Sequence, residues 1–156
     1  MMEIADDLTN DPDTLAKDNV SKFFQHQGDF NWNHIDVKNY KSEGQSWKGV
    51  SRRVFTGETG ESPNFHLRYF EIEQNGYSTL EQHEHEHVVV VMRGQGHAIV
   101  GDKRLQLGFG DVLYVSPNEV HQLSNSHEEP FGFLCVVNAV RDRPRPVDIG
   151  EGSSCG

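Results

Sequence analysis

Apolar and polar residues alternate with a period of two along most of the chain from Val50 onward. That period belongs to strands, whose successive side chains point to opposite faces. Asn64–Glu73, NFHLRYFEIE, alternates most cleanly. Placing Glu71 and Glu73 toward water turns Phe70 and Ile72 inward, with Arg68 and His66 on the same parity. Val50–Phe55 is predicted as the first strand, and Thr56–Pro63, rich in Gly, Ser and Pro, as a loop. The four valines at 88–91 predict a strand buried on both sides. His97–Val100 and Lys103–Leu107 pair as a hairpin around Gly101-Asp102, followed by strands over Asp111–Val115 and Pro130–Val140.

The two ends break this pattern. Asp11-Pro12-Asp13-Thr14 supplies an N-cap, a proline at the first helical position and acidic first-turn residues, which predicts a short helix. Leu15, Val20, Phe23 and Phe24 give it one apolar stripe, and Gly28 ends it. Such a stripe serves equally a helix packed outside the main body, one covering a cavity mouth, or one in a dimer contact. Phe30–Gly49 reads as extended, irregular chain laid over the strands, with its aromatic residues used for packing. Residues 141–156 are rich in Pro, Gly and charge, and are expected to form an edge extension and a disordered end.

Composition narrows the function. A chain of 156 residues fits one domain with a single core. The net charge of −10 argues against nucleic acid or an anionic membrane as partner. No apolar run approaches the roughly 18 residues of a membrane span, and no signal-peptide pattern opens the chain, so the expected compartment is the cytoplasm. Cys135 in an apolar strand and Cys155 in a Gly/Ser tail make no disulfide framework.

The chemistry concentrates in Tyr77–Gly96, YSTLEQHEHEHVVVVMRGQG. Glu81, His83, His85 and His87 fall on alternate positions and share a face. Imidazoles and a carboxylate gathered where a buried strand begins are costly unless a divalent metal collects their lone pairs. The plain alternative is an exposed, His-rich strand end. A second stretch, Gly110–Asn125, runs glycine, strand, Ser116-Pro117-Asn118 turn, then His121 and Asn125.

Together these two stretches resemble the paired motifs of the cupin family, over roughly Arg53 to Val140. The resemblance implies an all-β fold: a double-stranded β-helix, the jelly-roll-like barrel of cupins, carrying an N-terminal extension with a short helix. The chain then divides into an extension over 1–49 packing on the barrel, the barrel over 50–140 and a tail over 141–156. Counted back from Gly94, the family's Glu position is His87, its second His is His83 and its first His is Glu81. Aligned so, the resemblance implies one divalent transition metal (Fe, Mn, Ni, Co or Zn) held by Glu81, His83, His87 and His121. Glu81 either ligates directly or stands back as a base, and His85 is the reserve ligand. The other frame, His83-x-His85, lacks its carboxylate, because Val88 and Val89 stand there.

By the same resemblance one face of the last strand lines a cavity, here the Phe133/Cys135 face. Phe70, Leu123 and Phe133 are the expected apolar walls, with Arg68 as polar anchor. Arg68 clamps an anionic substrate or else snorkels at the rim, and Cys135 is a polar wall group or a small buried hydrophobe. Three functions follow in order of expectation. The first is a mononuclear metal-dependent oxygenase acting on a small organic molecule. The second is a non-redox isomerase or hydrolase of a sugar or keto acid, with Glu81 and Arg68 as catalytic groups. The third is a non-catalytic small-ligand-binding protein. A homodimer is expected, as small cupins often form.

Overall fold

The computed structural model describes residues 19–41 and 44–148. Among the described residues, eleven strands join into one curled sheet. In chain order they are β1 (Lys38–Asn39), β2 (Lys48–Val54), β3 (Phe65–Tyr77), β4 (Glu81–Gln82), β5 (His87–Arg93), β6 (Gly96–Val100), β7 (Lys103–Leu107), β8 (Val112–Val115), β9 (His121–Ser124), β10 (Phe131–Asn138) and β11 (Arg145–Pro146). One wall runs β2-β3-β10-β5-β8, all antiparallel. The facing wall holds β7-β6-β9 and β11-β4-β9, and the two join where Tyr77 of β3 pairs with Ser124 of β9. All-β architecture is thus what the alternation specified.

The core lies between the walls. Val50, Phe70, Ile72, Val89, Val91, Phe131, Phe133 and Val137 come from the first wall, and Ala98, Leu107 and Leu123 from the second. Parity explains the choice. Phe70 pairs with both Arg52 and Phe133, and Arg68 pairs with Cys135, so these side chains share the inner face. In the valine run only Val89 and Val91 are buried; Val88 and Val90 are half-buried. Burial on both sides, the expectation, is therefore only partly met, because β8 and β10 flank the strand but little covers its back.

On the outer face of β3, Glu73 faces water as expected, whereas Glu71 does not. Tyr69 is fully buried there, and Glu71 accepts from its hydroxyl at 2.9 Å and from Arg93 Nη1 at 3.1 Å. The cover comes from the N-terminal extension. Phe30 stacks on Tyr69 with centroids 5.5 Å apart, Trp32 meets the same ring edge-on at 5.2 Å, and Trp32 also packs on Phe55 at 4.9 Å. Phe30 holds a left-handed backbone (φ 54°), a strained conformation for an aromatic residue that these contacts offset. Residues 19–28 are not helical and make a bridge between His26 and Trp32, so the expected helix does not reach Gly28. Its start, residues 11–18, lies outside the described residues.

Candidate metal centre and pocket

Glu81 opens the site from β4, directly paired with His121 of β9. Between β4 and β5 the chain bends over residues 83–86, which swings His83, His85 and His87 together instead of spacing them along a straight strand. Glu81, His83, His85 and His121 are all buried and His87 is half-buried, whereas Glu84 and Glu86 between them are exposed.

Each of three histidines has its Nδ1 engaged. His83 Nδ1 lies 2.6 Å from the His85 carbonyl, and His121 Nδ1 lies 2.9 Å from the Glu119 carbonyl. A carbonyl only accepts, so both rings carry their proton on Nδ1 and hold a lone pair on Nε2. His87 Nδ1 lies 3.2 Å from Cys135 Sγ, and its Nε2 lies 2.7 Å from His83 Nε2. That short gap must contain a proton or a cation. Burial lowers the pKa of His83 to about 4, helped by the neighbouring His85, and lowers that of His87 further. His83 and His87 are therefore neutral, the form that ligates a metal.

His85 differs. Its Nδ1 lies 2.8 Å from Asp142 Oδ1, and its ring stacks on His83 with centroids 3.6 Å apart and planes 4° from parallel. An imidazole lone pair lies in the ring plane, so an ion bound by two imidazoles lies in both planes. Stacked parallel planes share no point. In this arrangement His83 and His85 do not hold the same ion. The two donor groupings that the geometry offers are His83-His85-His87 and Glu81-His83-His121, each within 4.8 Å. The second keeps the donors free of that conflict, and His87 reaches it through His83.

Glu81 is not free. Lys41 Nζ donates to its Oε2 at 2.9 Å, and the Tyr40 hydroxyl lies 3.5 Å from Oε1. Burial, reinforced by Glu81, raises the Tyr40 pKa and keeps the phenol protonated.

These groups line a cavity of about 240 Å³. Phe70, Leu123 and Phe133 form apolar wall with Val50, Val89 and Val115, and Arg68 and Cys135 face in from the same side. Every pocket residue singled out in the sequence lines this cavity. Cys135 is buried, and Arg68 Nη2 lies 3.5 Å from its sulfur while the guanidinium sits 4.9 Å over Phe70. Burial pushes the thiol pKa up and Arg68 pulls it back.

Sequence reasoning missed Tyr40, Lys41, Arg52, Arg141 and Pro144 in this lining. Arg52 was within reach, since it shares parity with the inward Val50. Arg141 was not: it lies past β10, in a segment read as tail. That segment closes over the site edge. Asp142 accepts from the Glu84 and His85 amides at 2.8 and 3.1 Å, and β11 pairs with β4.

Comparison with known proteins agrees with the barrel fold. The family model described as a cupin domain matches residues 68–137. A Rhodospirillum rubrum protein named 1-methylthio-D-xylulose 5-phosphate methylsulfurylase is 39% identical over 127 residues, covering 79% of this chain and 78% of its own. A crystal structure of a cupin 2 conserved barrel domain protein from Rhodopseudomonas palustris is 34% identical, with a TM-score of 0.75 over 81% of this chain and 87% of that one. A cupin-2 domain structure from Rhodospirillum rubrum is also 34% identical, with a TM-score of 0.72 over 85% of this chain and 87% of that one.

Proposed function

The chain belongs to the cupin family, and from that premise we propose that it is a metal-dependent enzyme that removes a methylsulfanyl group from a small phosphorylated ketose. The relative's name supplies the substrate class. The observation that carries the reading is a thiol in the cavity wall: Cys135 Sγ, 3.2 Å from His87 and 3.5 Å from Arg68.

Glu81, His83 and His121, joined by His87 whose Nε2 lies 2.7 Å from that of His83, would hold one divalent ion of the Fe, Mn, Ni, Co or Zn class, a mixed imidazole and carboxylate set suited to borderline metals. When bound, such an ion supplies Lewis acidity toward a ketone oxygen. The chain's own residues do the rest. With His87 Nε2 committed to ligation, its Nδ1–H donates to Cys135 Sγ, and Arg68 donates to the same sulfur. Burial pushes the thiol pKa up, and these two donors act against it on the side of the thiolate.

Cys135 Sγ attacks the sulfur of the methylthio group. An S–S bond forms, the C–S bond breaks, and its electron pair stays on the carbon beside the carbonyl. That carbon takes a proton from the Tyr40 hydroxyl, which Glu81 and burial keep protonated. A small thiol from solution then exchanges with the Cys135 disulfide, leaving as its mixed methyl disulfide and returning Cys135 to the thiolate, and the proton that this thiol loses restores the Tyr40 phenol. The carbon is reduced, and two sulfurs are oxidised to one disulfide, so the electrons balance.

The test is turnover of 1-methylthio-D-xylulose 5-phosphate by protein loaded in turn with each of the five metals. Without added thiol, the Cys135 peptide should gain one methylsulfanyl group by mass spectrometry. Cys135→Ser should keep its metal and lose transfer. Undiminished transfer by Cys135→Ser, or none with any metal, would contradict the reading. The oxygenase expected from the donor set is the second reading, favoured by its three imidazoles. It makes no use of the thiol or the cavity's cations, and dioxygen uptake matching substrate loss would place it first.

A further inference from the structure

The cavity has an unusual charge for so acidic a protein. Its lining holds Lys41, Arg52, Arg68 and Arg141 against a single carboxylate, Glu81, which Lys41 already occupies. Three guanidiniums are left without a carboxylate among the described residues, in a chain with 24 acidic side chains to 14 basic ones. Arg52 has no hydrogen-bond or ion-pair partner among them. The Nε atoms of Arg52 and Arg68 are buried and unpartnered. Arg141 spends Nη1 on His66 Nδ1 and the Asn138 carbonyl, at 2.9 and 2.8 Å.

Converging cations repel. Burial lowers the Arg141 pKa, and Arg68 and then Arg52 press it in the same direction. Buried donors left unsatisfied and like charges held together are both unfavourable until an anion joins them. A single carboxylate would be met by one guanidinium fork, whereas three forks suit a dianion with three peripheral oxygens.

We infer that Arg52, Arg68 and Arg141 form the subsite for a phosphomonoester, which anchors the phosphate end of the substrate in the cavity. The inference rests on the proposed reading of this cavity as a substrate site, and adds which residues select for the phosphate. Arg52 stands opposite Phe70 on β2, and Arg68 stands opposite Cys135 on β3. Arg68 thus touches both the phosphate subsite and the thiol, coupling the place where the substrate is gripped to the sulfur proposed to react. Arg141 follows β10 on the segment held down by Asp142, so its contribution depends on that closure.

The experiment titrates inorganic phosphate into metal-loaded protein by calorimetry, for wild type, Arg52→Gln and Arg141→Gln, with Arg52→Lys and Arg141→Lys as milder variants. Wild type should bind one phosphate per chain. Each Gln variant should bind about tenfold more weakly or worse, and each Lys variant should fall between. Metal content is measured on every sample. No phosphate binding by metal-loaded wild type, or equal affinity in the Gln and Lys variants with metal intact, would overturn the subsite. Methylsulfanyl transfer is scored separately on the same preparations. Transfer without phosphate binding removes the subsite alone; phosphate binding without transfer by any metal form removes the proposed reaction and leaves an anion site.

Discussion

A histidine ring has two nitrogens, and the role of each ring here follows from where Nδ1 goes. His83 and His121 give Nδ1–H to backbone carbonyls, so their Nε2 atoms must look inward with lone pairs. His85 gives Nδ1 to Asp142 and stacks flat on His83, which makes it a plate that holds its neighbour. Neutrality of the cluster has a consequence for stability. His83 falls to about 4 in the folded protein, and His87, His85 and His66 also move down from the ordinary imidazole value near 6.5. Between these limits the unfolded chain binds more protons than the folded one, so stability rises with pH across that window. It is fully present above about pH 6.5 and is lost as the pH falls toward 4. Asp142 shifts downward from the usual carboxylate value, chiefly through the Glu84 amide, and its loss belongs to lower pH. Metal-free protein should therefore melt at falling temperature from pH 7 to 5, and His83→Gln should flatten that slope. An unchanged slope in His83→Gln, followed by differential scanning calorimetry, would show that the cluster is not held neutral.

At the scale of elements, glycine and aromatic positions fix how the strands meet. Gly94 turns β5 into β6 at φ +63°, and an added Cβ would lie 2.5 Å from the Pro130 carbonyl oxygen. Gly94→Ala should destabilise by roughly 1–3 kcal/mol, the range for forced overpacking, in urea unfolding. Trp32→Ala should cost roughly 3 kcal/mol by uncovering Tyr69 and Phe55. A Trp32→Ala protein as stable as wild type would mean that the N-terminal extension is not part of the fold's stability. Much at this scale was legible in the sequence. Alternation gave β3 and its inward Phe70 and Arg68, and Gly101-Asp102 gave the β6–β7 hairpin, because both are local patterns. What stayed hidden depends on distant partners. Glu71 looked solvated because nothing nearby in sequence announces Arg93, Tyr69 and the aromatic cover of residues 30 and 32. Asp142 reaches His85 across 57 positions, and composition alone made its segment look like a tail.

Over the whole molecule, charge is sorted rather than mixed. The chain carries −10 overall, yet the cavity lining has an excess of three positive charges before any metal is added. Low-dielectric walls strengthen such a field, so a small anion is drawn inward while nucleic acid is repelled by the outside. The donor atoms and the arginines come from both walls of the barrel and from the segment after β10, so the site exists only when the fold closes. In the proposed centre three imidazoles and Glu81 collect one metal ion while His85 does not. The decisive measurement is elemental analysis of protein purified without chelators, on wild type, His83→Ala and His85→Ala. About one transition-metal ion per chain in wild type, lost in His83→Ala and kept in His85→Ala, is the predicted result. Metal retained by His83→Ala, or absent from wild type after exposure to all five metals, would contradict it.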